Sequence, residues 1–429
     1  MSEEIKYTKF HTLIKNNKFI KTDLIEPRDL TFLIKNIEFD ELSIEQDDIS
    51  EQNIKPPLSI INSMNKREKT IIFSNCKFNN ELTFLRKLNY SFIFKECEFN
   101  NIIISNIEYD ENYKLNFEFI NTKSINTLTI NNCDFSGKFY INEDKKNDDE
   151  FKIDSITINE SKFNENFKLH NAKVETIQLN GVDFERNADF FKTKFGNYDE
   201  KEREILFKGI NFNKLVVFEE CEFYNKFIIR YATFESLVQF KEAIFQRGLD
   251  LDKTNILDEI NFYGVTGLET ISKDNNTSQE TYRILKYNCE KIGNIIDANK
   301  YHALELQKRK EALDKIEGLT QEKIVFTINW YSSKFGTNWL FPLFWIFMVG
   351  FITFLLLHSS DICSFFNKPT LIDFLKYIGK GFNKVFSYMY ILNRDKEFQD
   401  CSIVFLLNKI ALGYLYYQFV TAVRKDTRK

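Results

Sequence analysis

FKGINFNKLVVFEECEFYNKFIIRYATFESLVQFKEAIFQRGLDLDKTNILDEINF, residues 207–262, sets a large apolar side chain at Phe207, Phe212, Phe218, Phe223, Ile229, Phe234, Phe240, Phe245, Leu251, Ile256 and Phe262. The steps alternate five and six residues, so every second anchor returns after 11. An amphipathic helix repeats its apolar positions at three and four, and a half-buried strand at two, so neither produces this period. A coil of short extended segments does: each segment forms one side of a turn and sends one anchor to the axis. Four sides make a turn of about 20–22 residues, in agreement with the 21-residue steps from Phe78 to Phe99 and from Phe163 to Phe184.

Upstream the same period runs through Phe163, Leu169, Val174, Leu179, Phe184, Phe190 and Phe195, then breaks at the charged stretch GNYDEKEREIL. Two positions before an anchor stands a smaller residue: Cys76, Cys97, Cys133, Ala172, Val182, Ala188, Cys221, Ala232 and Ala243. Small and large inward side chains together fill a narrow interior, as close packing requires. The units NADFF at 187–191 and YATFE at 231–235 resemble the pentapeptide-repeat family, whose units carry a small residue, a polar one and a central Leu or Phe. The resemblance covers about residues 70–262 and extends faintly through Phe39, Ile44, Ile49 and Ile54. The chain departs from the family pattern in its six-residue steps, in Cys, Val or Ile where Ala is usual, and in acidic interruptions near 143–150 and 197–204.

The resemblance implies a right-handed quadrilateral parallel β-helix over residues 36–268. Its turns would stack at about 4.8 Å, so eight to ten of them give a rod of roughly 40–45 Å. The open ends of such a stack need covers. Residues 1–35 and the helix after 277 are the expected caps.

Composition supports a large core. Phe alone accounts for 45 of 429 residues, with 43% hydrophobic and 28% charged residues, which excludes a disordered chain. The formal net charge of −4 is unevenly spread. Residues 1–262 carry 36 Lys and Arg against 46 Asp and Glu, a net of −10; residues 263–429 carry 22 against 16, a net of +6. The acidic part argues against a nucleic-acid partner, and the basic part suits an anionic membrane face. Seven Cys without a CxxC pair or a Cys/His cluster point to reduced thiols and to neither zinc nor disulfides. MSEEIKYTKFHTLIKNN lacks an apolar signal core, so the expectation is that the part before the first span stays in the cytoplasm.

A helical stalk is expected over 278–318, with Ser278 as N-cap, Gly318 as stop and a weak point at Gly293 and Asn294. Its apolar stripe is Leu285, Cys289, Ile292, Ile296, Ala303, Leu306, Leu313 and Ile316. Residues 324–429 read as a membrane domain. WLFPLFWIFMVGFITFLLL, 339–357, crosses a hydrocarbon core without a charge, flanked by the interfacial aromatics Trp330, Tyr331 and Trp339. A second span over 403–423 contains Asn408, Lys409 and Gln418 and ends in the basic anchor Arg424, Lys425, Arg428 and Lys429. Between them, 370–392 is amphipathic, with Asp373, Lys376, Lys380 and Lys384 on one face, and either lies on the bilayer or re-enters it.

Ser332, Ser333, Phe335, Gly336, Trp339 and Pro342, with Tyr417, Gln418, Phe419 and Arg424, resemble the C-terminal module found after pentapeptide repeats in bacterial membrane proteins. That module is similar to two-span ion channels. The resemblance implies a multi-pass protein of the bacterial inner membrane; both termini are assigned to the cytoplasm, although the positive-inside count is tied. No TVGYG-like filter is present.

Two functions follow as expectations. Several copies assemble into an ion channel or pore regulated by the rod, with Asn408, Lys409 and Gln418 either lining the path or bonding helix to helix. Alternatively, the spans tether a scaffold whose rod binds a cytoplasmic protein. An enzyme ranks last: no GxSxG, P-loop or GxGxxG after a strand is present, and neither a catalytic residue, a cofactor nor a metal is expected.

Overall fold

The computed structural model describes residues 3–5, 8–9, 20–21, 30–45, 69–85, 88, 90–109, 114–142, 151–199, 204–269, 271, 275–358, 371–392 and 402–427. The chain forms two units, Met1–Thr281 and Tyr282–Lys429.

The first unit is built from short strands in two sheets, paired in parallel except where Ile20–Lys21 meets Leu30–Lys35 antiparallel. Register explains the period in the sequence. Glu222 pairs with Ile244, Phe227 with Leu249, Thr233 with Asn255 and Val238 with Ile260, each 22 residues on. The chain thus returns beside itself after every four pairing segments. The inward anchors then lie directly over one another: Phe223 on Phe245 at 4.8 Å between ring centroids, Phe212 on Phe234 at 4.9 Å and Phe218 on Phe240 at 5.0 Å. That is the strand spacing itself, about 4.8 Å, so backbone pairing and ring stacking demand the same rise. Neighbouring columns meet edge to face, as at Phe84 and Phe117. All anchors from Phe163 to Leu251 are buried; Ile256 and Phe262, at the end of the stack, are half-buried.

The corners have their own chemistry. The residue just before the small inward one often holds a left-handed backbone: Asn75 (φ 51°), Glu96 (56°), Asn132 (52°), Asn171 (49°), Gly181 (65°), Glu220 (55°) and Tyr231 (55°). This turn directs a corner N–H to the next layer, as from Asn75 to the Lys95 carbonyl at 2.8 Å and from Glu220 to Lys241 at 2.9 Å. Asn adopts this region more readily than other non-glycine residues. Its amides also form ladders, Asn75 to Asn36 at 2.8 Å and Asn132 to Asn106 at 3.0 Å.

Insertions leave the register intact. The pairing offset is 21 residues at Val174↔Phe195 and 28 at Gln178↔Leu206, so seven extra residues are accommodated between Phe195 and Leu206. A step of six, from 22 at Phe119↔Ile141 to 28 at Ile125↔Ile153, brackets the acidic stretch 143–150, which lies outside the described residues, as do Ile49 and Ile54. The stack begins earlier than residue 36: Leu30–Lys35 pairs in parallel with Lys69–Ser74, and Glu3–Ile5 with the strand Ile37–Glu45. At the other end, the Thr277 and Thr281 hydroxyls accept hydrogen bonds from the backbone N–H groups of Leu249 and Leu251, which have no further layer to pair with.

The helices are α1 (Gln279–Lys291), α2 (Ile295–Asp314), α3 (Gln321–Ser333), α4 (Leu340–Leu357), α5 (Leu371–Met389) and α6 (Ser402–Thr427). Ser278 caps α1 by accepting from Thr281 N–H. The expected stalk is two helices, divided at its weak point. Gly293 at φ 77° breaks it, and Asn294 restarts it by accepting from Asp297 N–H. The break interrupts the expected stripe: Leu285, Cys289, Ala303 and Leu313 are buried, but Ile292, Ile296 and Ile316 are exposed. Buried Glu305 ties α2 to α1 through Arg283 at 3.0 Å and Lys286 at 3.7 Å. Thr320 caps α3, and Lys334, Phe335 and Gly336, all at positive φ, reverse the chain into α4.

Candidate functional site

Among the described residues, two helices are long and apolar enough to cross a membrane, Leu340–Leu357 and Ile403–Lys425. At about 1.5 Å per residue they are about 27 and 34 Å long. Their outward residues, Leu343, Phe344 and Leu356 on α4 and Leu406, Ile410 and Val420 on α6, are exposed hydrocarbon.

α5 packs antiparallel against the second half of α4, and glycine permits the approach. A Cβ at Gly350 would come within 2.5 Å of Met389 Cγ and 3.0 Å of the Val385 carbonyl oxygen; one at Gly381 would lie 3.4 Å from the Phe354 ring. Small residues serve close helix contacts of this kind in membranes. Phe354, Val385 and Tyr388 form the buried centre of the contact. Because Gly350 lies near the middle of α4, α5 ends level with the middle of that helix.

The last turn of a helix leaves carbonyl oxygens without an internal donor. Here α6 supplies donors. Asn408 Nδ2 donates to the Tyr388 carbonyl at 3.3 Å, the Tyr416 hydroxyl to Met389 at 3.1 Å and Lys409 Nζ to Tyr390 at 3.2 Å. A cation beside the negative end of α5 is also favourable. Asn408 Nδ2 reaches Thr353 Oγ1 as well, at 2.9 Å, so one side chain joins α4, α5 and α6. Its Oδ1 is buried and has no hydrogen-bond partner among the described residues. Toward the C-terminal end of α4, Lys384 Nζ lies 2.6 Å from His358 Nε2, whose ring stacks on Phe354.

A second joint binds α6 to the turn between α3 and α4. Ser333 Oγ donates to Gln418 Oε1 at 2.8 Å, Ser332 Oγ meets the Tyr414 hydroxyl at 3.0 Å, and Lys425 Nζ donates to the Phe335 carbonyl at 3.2 Å. Trp339 meets Phe419 edge to face at 6.3 Å.

No family model, curated protein or solved structure matches this chain.

The residues singled out in the sequence therefore separate into groups. Asn408 and Gln418 are buried and hydrogen-bond other helical segments of the same chain. Lys409 is half-buried at the α5 end, over the Phe405 ring. Of the α5 lysines, Lys380 is exposed and Lys384 meets His358; the side chain of Lys376 lies outside the described residues. In the tail, Arg424 is exposed and Lys425 is used by Phe335, while Arg428 and Lys429 lie outside the described residues. Thr353, His358 and Tyr388 were not identifiable from sequence, because each gains its role only through a partner on another helix.

Burial pushes the Cys133 and Cys289 thiols up to about 11 and those of Cys97 and Cys221 further still, which keeps them protonated.

Proposed function

We propose that this chain is an integral protein of a bacterial inner membrane and that several copies assemble their helical units into an ion channel or pore. In this reading the strand stack is a right-handed, four-sided β-helix of pentapeptide-repeat type on the cytoplasmic side, where it regulates the path. Both termini are cytoplasmic, with Arg424, Lys425, Arg428 and Lys429 at the inner face.

The observation that carries the reading is the depth of α5. A tether needs spans and nothing more. A helix that enters alongside α4 and stops at its middle leaves backbone carbonyls at a depth where lipid offers no donor. Such backbone is tolerated where protein or water surrounds it. Here Asn408, Lys409 and Tyr416 serve the Tyr388, Met389 and Tyr390 carbonyls, and Lys409 brings an ionisable group to the same level. Ionisable groups at that depth mark ion pathways more often than simple anchors.

The deciding experiment is conductance of the purified protein in planar bilayers, comparing the native chain with Lys409→Ala and Asn408→Leu. Discrete currents whose ion preference changes in Lys409→Ala support a pore. A silent bilayer from correctly folded oligomers refutes it.

The second reading is a membrane-tethered scaffold without transport. It is favoured by the faces of the stack, where charges pair from turn to turn: Lys162 with Glu185 at 2.7 Å, Lys192 with Glu220 at 3.2 Å, Lys77 with Glu98 at 3.6 Å. Such regular polar faces suit a protein partner and give no field for nucleic acid.

A further inference from the structure

α3 is apolar on two opposite faces. Phe326 and Trp330 pack on buried Phe335 at 5.8 and 5.6 Å, and Ser333 on the same side bonds Gln418 of α6. On the other side Ile324, Val325, Ile328 and Tyr331 are exposed, at 39, 62, 50 and 60%, and Leu319, just ahead of the helix, at 82%. A helix on a water-facing surface turns polar residues outward; one that is apolar on both sides needs a second cover.

We infer that α3 is an in-plane surface helix, seated by Leu319, Ile324, Val325, Ile328 and Tyr331 in the headgroup layer of an anionic bilayer. The inference rests on the membrane reading and goes beyond it, because α3 itself does not span. Two observations favour lipid as the cover. The exposed face of α3 continues into that of α4: Trp345 Nε1 donates to the Tyr331 carbonyl at 2.8 Å, which fixes the end of α3 beside the turns where Leu340, Leu343 and Phe344 are exposed. The charges also fit. Glu322, an acidic residue of α3, is neutralised by Arg309 through contacts of 3.0 and 3.2 Å, while Lys334 and Arg424 stand near the start of α4 and the end of α6. Cations at this boundary hold acidic headgroups, and Tyr331 and Trp339 are the aromatic types that settle there.

Nitroxide labels test this in the full chain, with Cys363→Ser and Cys401→Ser as background, reconstituted in vesicles of phosphatidylcholine and phosphatidylglycerol. Labels go on Val325→Cys and Ile328→Cys for the surface helix, Phe344→Cys for the span and Glu317→Cys for water. Accessibility to oxygen and to a water-soluble nickel chelate gives depth. Val325 and Ile328 labels are expected about 5–10 Å below the headgroup surface, shallower than Phe344, with Glu317 in water. A water-exposed label at Val325 with Phe344 in hydrocarbon overturns the surface helix and leaves the span standing. Water at both positions overturns both. Spin–spin broadening at Val325 shows that a second copy covers the face, and this too refutes lipid as its partner.

Discussion

The Ser333 hydroxyl donates to Gln418 Oε1 across 2.8 Å, joining two buried positions 85 residues apart. One lies at the end of α3, the other well along α6, so the bond fixes where the second long helix stands against the turn into the first. In a double-mutant cycle on thermal unfolding in detergent, Ser333→Ala and Gln418→Leu should couple by about 0.6 kcal/mol, and by no more than about 1.7. Strict additivity would remove the bond from the account.

Gly350→Leu should separate α5 from α4. The added side chain meets Met389 and the Val385 carbonyl, and overpacking of this kind costs about 1–3 kcal/mol. Gly379→Leu, where no atom lies within 4 Å, is the control and should leave stability unchanged or raised by up to about 1 kcal/mol. Melting temperature checks both; in the channel reading only Gly350→Leu also loses current.

Phe223→Ala should be among the costly changes in the stack. Its ring lies 4.4 Å from Phe227 and 4.8 Å from Phe245, so truncation opens a void in two columns at once, at about 3–5 kcal/mol. Protease resistance of the region around 204–260 should fall. Tyr263→Ala, at 71% exposure, should leave it unaltered.

Acid should loosen α2. Burial, with Lys286 and Lys425 nearby, lowers the pKa of His302 below its ordinary 6.5, and Glu305 opposes this only in part. The unfolded chain therefore takes the proton more readily than the folded one. Stability is constant above pH 6.5 and falls as pH drops from there toward the folded value. Protection factors of the α2 amides, corrected for the intrinsic pH dependence of exchange, should fall between pH 7 and 5 in the native protein and less so in His302→Gln.

How much of this was readable in the chain depends on the range of the interactions. The anchors from Phe163 to Leu251 were readable because each turn repeats the same packing problem, and periodicity survives changes of residue. The left-handed corners were only half readable: Asn75 and Asn171 advertise them, but Glu220 and Tyr231 occupy the same place without any turn signal. Gly293 and Asn294 marked the helix break correctly. The stripe drawn across it failed at Ile296 because two helices need not share a rotation, and at Ile316 because α2 ends at Asp314. For α5, amphipathicity allowed a surface or a re-entrant position. Its contact with Gly350 depends on a residue more than 30 positions away, which no local pattern encodes. Asn408 and Lys409 stood out as polar residues in an apolar run, yet their partners, the Tyr388 and Tyr390 carbonyls, are backbone atoms and leave no mark in sequence.

The seven residues absorbed between Phe195 and Leu206 without loss of register bear on how such a chain can change over time. Lengthening at a corner is silent, whereas one residue added within a strand would exchange its inward and outward sets. Viable length variants of the stack should therefore come in two kinds only: bulges at corners, and whole coils gained or lost by duplication or deletion of about 22 codons. The parallel stack behaves as a ruler graduated in steps of about 4.8 Å.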